Sequence, residues 1–220
     1  MVMVETLKKG EITIDKKEVL RYLGYGQNEA DEVVLSKIDE LLEKMKESLS
    51  CKACYEKYPL ILMDDMLCFG SIKTDSEDLK KNLSGCSDVI VFCATIGIET
   101  DRIIEKNSVI SPSCAVIAQA LGATFIEAWC DILCKRFCEM ESNGIRPRFS
   151  PGYGDFPLSM QRELLNMVDA SRKIGVTLTE SLLMMPSKSV SAIVGIGEKN
   201  EHPKGGCNNC DNKNCPYRRD

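Results

Sequence analysis

Apolar and polar positions fall in blocks along this chain, and the blocks predict alternating helices and strands. Residues 1 to 15 alternate loosely, and Glu11-Ile-Thr-Ile-Asp15 reads as a short edge strand. Lys16 to Leu23 predicts a turn or two of helix, stopped at Gly24-Tyr-Gly26. Asn28 is the expected N-cap of an amphipathic helix from about Glu29 to Leu49. Its apolar face is Val34, Ile38, Leu41, Leu42, Met45 and Leu49, spaced by threes and fours, and the opposite face is charged. Such a helix packs on one side and is solvated on the other. Tyr58 to Met63 and Met66 to Phe69 predict strands flanking an Asp64-Asp65 turn, and Ser76 to Leu83 a short helix.

The clearest buried strand is Asp88-Val-Ile-Val-Phe-Cys-Ala-Thr-Ile-Gly97, apolar nearly throughout and rich in β-branched residues. Glu99 to Lys106 predicts a short helix, and Pro112 to about Glu139 a long, mostly apolar one. Ala115, Ala118, Gly122 and Ala123 give that helix a small-residue face for close packing, while Glu127 sits among Phe125, Ile126, Ala128 and Trp129. A carboxylate in such company needs a partner if its face is buried. A helix over about Met160 to Ile174 follows, capped by Ser159 and ended by Gly175. Leu178 to Gly195 then predicts a short helix, a Pro-containing turn and a final core strand. Strands mostly non-adjacent in sequence, with helices around them, make an α+β fold.

One stretch has neither period. Arg146-Pro-Arg-Phe-Ser-Pro-Gly-Tyr-Gly-Asp-Phe-Pro157 holds three of the eight prolines, two glycines, two arginines and a tyrosine. Each proline fixes φ and removes a donor, so the segment runs extended and turned. Pro151-Gly152 reads as a tight turn. Either it is a rigid connector between two helices, or its backbone groups, Arg148 and Tyr153 grip a small zwitterion.

Composition narrows the partners. Hydrophobic residues make up 44% and charged ones 28%, as in an ordinary globular domain. A net charge of −5 supplies no basic stripe for nucleic acid. No apolar run approaches the roughly 18 uninterrupted residues of a membrane span, and the N-terminus lacks signal-peptide zones, so a cytoplasmic location is expected. Of the twelve cysteines, many sit in apolar runs, where thiols act as small hydrophobes. Cys51-Lys-Ala-Cys54 is a lone CxxC that fits a redox pair, half a metal site, or two partly buried thiols at a helix end.

Arg148-Phe-Ser-Pro-Gly-Tyr153 fits the pattern RxxxGY, and Leu178-Thr-Glu-Ser, Met184, Pro186 and Ser189-Val-Ser191 follow at a suitable distance. With Ala94-Thr-Ile-Gly97 and Phe125-Ile-Glu127 upstream, they resemble the activation domain of cobalamin-dependent methionine synthase. The likeness covers about residues 85 to 197 and little of the first 80. It implies a twisted, mainly antiparallel sheet flanked by helices in a single domain. It also implies binding of S-adenosylmethionine and a repair role. One electron and the ligand's methyl group would return oxidised cobalamin, held by a partner, to methylcobalamin. Arg148 would bind the methionyl carboxylate, Tyr153 would line the site, the Pro151-Gly152 backbone would hydrogen-bond the ligand, and Glu127 would face its amino group. On this view residues 1–84 are a helical and strand extension packed on a core at 85–198, and residues 199–220 form a Cys-rich tail.

Two departures stand beside the resemblance. After the tyrosine, synthase members carry a proline, small residues and an acid–His pair, whereas this chain has Gly154-Asp-Phe-Pro-Leu-Ser-Met-Gln161 and its single histidine is His202. Nor does the chain have room for corrinoid, homocysteine or folate domains. It reads as a free-standing member of the methionine synthase system, inactive alone. Its expected partners are a corrinoid methyltransferase protein and an electron donor such as flavodoxin or ferredoxin. The tail adds Cys207, Cys210 and Cys215 in CxxCx4C spacing among polar residues, a set of thiolates that suits zinc or an iron–sulfur cluster. Two other roles stay open: a redox or metal-cluster protein passing electrons to a corrinoid partner, or a docking module that catalyses nothing.

Overall fold

The computed structural model describes residues 1–197 apart from 9, 27, 142 and 143. At its centre are β6 (Cys86–Thr95) and β10 (Ser189–Gly197), antiparallel from Ser189↔Thr95 onward. β2 (Lys52–Pro59) pairs with the other side of β6, and β1 (Met3–Thr6) pairs with β2. The short β7 (Gly144–Ile145) lies against β10, giving an antiparallel order β1-β2-β6-β10-β7. The fold is α+β, as the sequence predicts.

Side chains alternate across each strand, so the two central strands feed two cores. Ile90, Phe92, Ala94 and Ile96, with Ala192, Val194 and Ile196, enter one core; Val89, Val91, Cys93 and Ile193 enter the other. Helices cover both faces, which is why β6 reads as an unbroken apolar run although its neighbours are antiparallel. The first core is closed by α1 (Lys16–Tyr22), α2 (Glu32–Ser48), α4 (Glu99–Ile110) and α5 (Pro112–Met140). The second is closed by α3 (Glu77–Asn82), α6 (Met160–Met167) and α7 (Ala170–Ile174). It also receives residues of a small sheet, β3 (Ile61–Met63), β4 (Met66–Phe69) and β5 (Ile72–Thr74). By length and composition α5 could cross a membrane. However, 61% of its most apolar window is buried, Trp129, Leu133 and Phe137 completely, so it serves as the core helix.

Several local expectations are corrected. The first strand is Met3–Thr6, and residues 11–15 instead lead into α1, whose N-cap is Asp15. Asp31, whose side chain accepts from Val34 N, caps α2 in place of Asn28. The CxxC opens a strand instead of ending a helix. Cys51 lies just before β2 and Cys54 on it, an odd number of positions apart, so Cys51 enters the first core and Cys54 the second. Burial pushes these thiols up to about 11 and about 12, so the pair is neither a joint ligand set nor a ready thiolate. The helix expected over 160–174 is broken by Asp169 in the left-handed region at φ 51°. The short helix expected after Leu178 is a hairpin of β8 (Thr177–Leu178) and β9 (Met184–Met185).

Candidate functional site

The Pro-rich segment runs along the free side of β10. Phe149 pairs with Ile193 by two backbone hydrogen bonds of 2.9 and 2.8 Å, and Arg146 N donates to Gly195 O at 2.8 Å. Beyond Phe149 the chain turns on itself. Tyr153 N donates to Ser150 O, Phe156 N to Tyr153 O, and Gly152 N to Phe156 O at 2.8 Å. Gly152 sits at φ 91°, which a side chain would resist. Phe156 is buried beneath the turn, with the Phe149 ring 6.4 Å away.

Arg148 points to the face that α5 covers. Its Nη2 reaches Glu127 at 2.5 Å and its Nη1 reaches Asp131 at 2.6 Å. Two residues singled out in the sequence, 21 positions apart, are thus joined directly. Burial works against the guanidinium's charge, but the bond to Asp131 and the nearby carboxylates outweigh it and hold Arg148 firmly protonated. The same cation touches Cys134: burial raises that thiol, and Arg148 partly offsets the rise. Asp131 is one helical turn beyond Glu127, so the spacing i, i+4 on α5 could have flagged it.

Glu127 and Asp131 also form one wall of a cleft of about 200 Å³ between α5 and the start of the chain. Thr124 and Ala128 complete that wall, and Thr13, Ile14, Asp15, Glu18 and Tyr22 form the other. Four carboxylates therefore line one small space, with Glu18 paired to Arg21 at 2.8 Å. Asp15 and Glu18 have no motif that would reveal them; they arrive only because α1 packs on α5. The cleft's lining does not include Tyr153, which is 65% exposed on the loop with its ring 6.3 Å from Phe149. Pro151 is buried and Gly152 exposed, and the Gly152 N–H is already spent on Phe156. Cys207, Cys210, Cys215 and His202 lie outside the described residues.

Comparison with known proteins settles the family. The model of the vitamin B12-dependent methionine synthase activation domain matches residues 76–204, more than half of the chain and the whole of the Arg148 loop. The chain belongs to that family. Among solved structures, the MetH reactivation domain bound to AdoHcy superposes with a TM-score of 0.70 at 16% identity. The match covers 92% of this chain and 80% of the other. At that identity the likeness establishes the fold, over a larger share of the chain than the family model matches. No curated protein matches the chain.

Proposed function

We propose that this chain binds S-adenosylmethionine beside the Arg148–Glu127–Asp131 cluster and assists reductive methylation of cobalamin held by a separate corrinoid methyltransferase protein. The observation that carries the reading is the direct meeting of Arg148 with Glu127 inside the family match. The ligand bears a sulfonium, an ammonium and a carboxylate. A cleft lined by four carboxylates favours the two cations, and Arg148 has N–H donors beyond those given to Glu127 and Asp131 for the carboxylate. About 200 Å³ is below the roughly 300–1,000 Å³ of a full ligand pocket, so the cleft would hold the amino-acid end of the ligand. The AdoHcy in the MetH reactivation domain is what S-adenosylmethionine becomes on losing its methyl group, and it supports the same ligand class here.

When bound, S-adenosylmethionine supplies an electrophilic methyl group, and reduced cobalt on the partner is its acceptor. This chain's own contribution is positioning: Glu127 and Asp131, held in place by Arg148, orient the amino-acid end. The chain would not be active alone, and a flavodoxin- or ferredoxin-like donor in the cytoplasm would supply the electron. The test adds the protein to an oxidised, cobalt(II) corrinoid protein. Methylcobalamin is expected only when S-adenosylmethionine and a low-potential donor are both present; methylcobalamin that forms without S-adenosylmethionine, or an absence of any binding, overturns the reading.

A second reading concerns the tail. Cys207, Cys210 and Cys215 follow the end of the family match at residue 204. Their spacing among polar residues favours a thiolate-held zinc or iron–sulfur centre that could serve the electron step. Anaerobically prepared protein should carry zinc or iron, and Cys207→Ser, Cys210→Ser or Cys215→Ser should each lose it without unfolding the core. Metal content near zero in the unmutated protein removes this role.

A further inference from the structure

The shape of the ligand loop is not set by the loop alone, because α3 grips it at both ends. At the close of α3, Asn82 Nδ2 donates to Pro147 O at 3.2 Å, and just beyond it Ser84 O accepts from Arg146 Nη2 at 2.8 Å. At the start of α3, the Asp155 carboxylate accepts from Ser76 Oγ and from the N–H groups of Glu77 and Asp78, at 2.7 and 3.2 Å for the latter two. Six helical residues rise about 9 Å, enough to bridge the loop's entry and exit. Gly154, at φ 53°, packs against the same turn of helix. A Cβ there would lie 2.2 Å from Asp78 Oδ2.

On the ligand assignment above, we propose that α3 is the splint that keeps the Arg148–Tyr153 loop in its binding shape, with Asp155 as the latch. Asp155 is then a positioning residue for S-adenosylmethionine. An ordinary helix cap would not explain it, because α3 already has one: Ser76 Oγ accepts from Leu79 N at 3.2 Å. Asp155 reaches in from 77 or more residues away to amides that water could otherwise satisfy, so its bonds organise the loop more than the helix. Gly154 and Asp155 belong to the stretch that departs from the acid–His pattern of the synthases. Here the loop is closed by a carboxylate locked to a helix, with the buried Phe156 as plug. The family match begins at Ser76, the residue that caps this splint.

Hydrogen exchange and calorimetry on the full chain test the proposal together. Asp155→Ala should raise exchange at the Gly152, Tyr153 and Phe156 amides and weaken S-adenosylmethionine binding at least tenfold. Exchange in β6 and α5 should stay unchanged. Asp155→Asn, which keeps an acceptor oxygen, should recover part of both effects, and Gly154→Ala should reproduce the loss through its clash with Asp78. Unchanged loop protection in Asp155→Ala overturns the splint, as does equal loosening of β6 and α5, which would mean a general folding defect. If Asp155→Ala loosens the loop but binds as tightly as the unmutated chain, Asp155 is structural only and the positioning role falls. If the unmutated chain itself binds no S-adenosylmethionine, the ligand assignment fails, and the exchange data alone decide whether α3 holds the loop.

Discussion

The β6–β10 pair and the loop from Arg146 to Pro157 lie side by side, stitched together at Phe149 and Ile193, yet they keep their shapes by different means. The strands are fixed by burial on both faces: Phe92, Val91, Ala192 and Val194 are all fully inaccessible. Hydrophobic burial is non-directional and spread over many contacts, so no single polar group decides the outcome. The loop buries Arg146, Pro151 and Phe156, and otherwise depends on directed bonds from distant elements: α3 at its ends, α5 through Arg148. Strength resides in the first region; in the second a few directed bonds set the shape, which on the proposed assignment is the ligand geometry. A loop built this way can be rebuilt by changing a few polar residues without disturbing the sheet.

Substitutions can separate the two regions. Phe92→Ala, in the middle of β6, should destabilise the fold by about 3–5 kcal/mol in a urea titration, since it opens a cavity under α5. The ligand affinity of the fraction that remains folded should be unchanged; a loss below about 1 kcal/mol would break the contrast between strong sheet and weak loop. Arg148→Ala should weaken S-adenosylmethionine binding by about 1.5–3 kcal/mol, read by calorimetry. It leaves Glu127 and Asp131 together without their cation, and unchanged affinity would remove Arg148 from the site. Tyr153→Ala, at an exposed position, should shift stability by less than about 0.5 kcal/mol while slowing methylation of the corrinoid partner. Silence in both measurements would make the ring mere surface.

The smallest effect expected is one of pH. The Ser76 hydroxyl and the amides of Glu77 and Asp78 hold the Asp155 carboxyl below its ordinary value of 3.8, against a smaller opposing effect of burial. The unfolded chain therefore binds this proton more readily than the folded one. The latch should be intact at neutral pH and lost as pH falls through the lowered value. Exchange at the Gly152 amide should rise on acidification ahead of that in β6, and Asp155→Asn should abolish this early step. Simultaneous loosening of both regions would show that Asp155 does not titrate separately from the core.

The sequence by itself determined the central strand, the long core helix, the amphipathic α2 and the family. It did so because apolar periodicity and a spaced motif are local properties of the chain. It also supplied Arg148 and Glu127 as candidates, but as opposite ends of a ligand site; tertiary structure made them an ion pair with Asp131 between α5 and the loop. β2 was missed because its polar rim, Lys52 and Lys57, and its embedded CxxC hide a strand that becomes central only once β1 and β6 flank it. The 178–185 segment reads as a helix in sequence because so short an apolar run has no period long enough to distinguish helix from hairpin. Asp15, Glu18 and Asp155 carry no signal in their own neighbourhood. A carboxylate becomes a cleft wall or a latch only through what the fold brings opposite it, and that pairing spans 77 residues between Asp155 and Asp78.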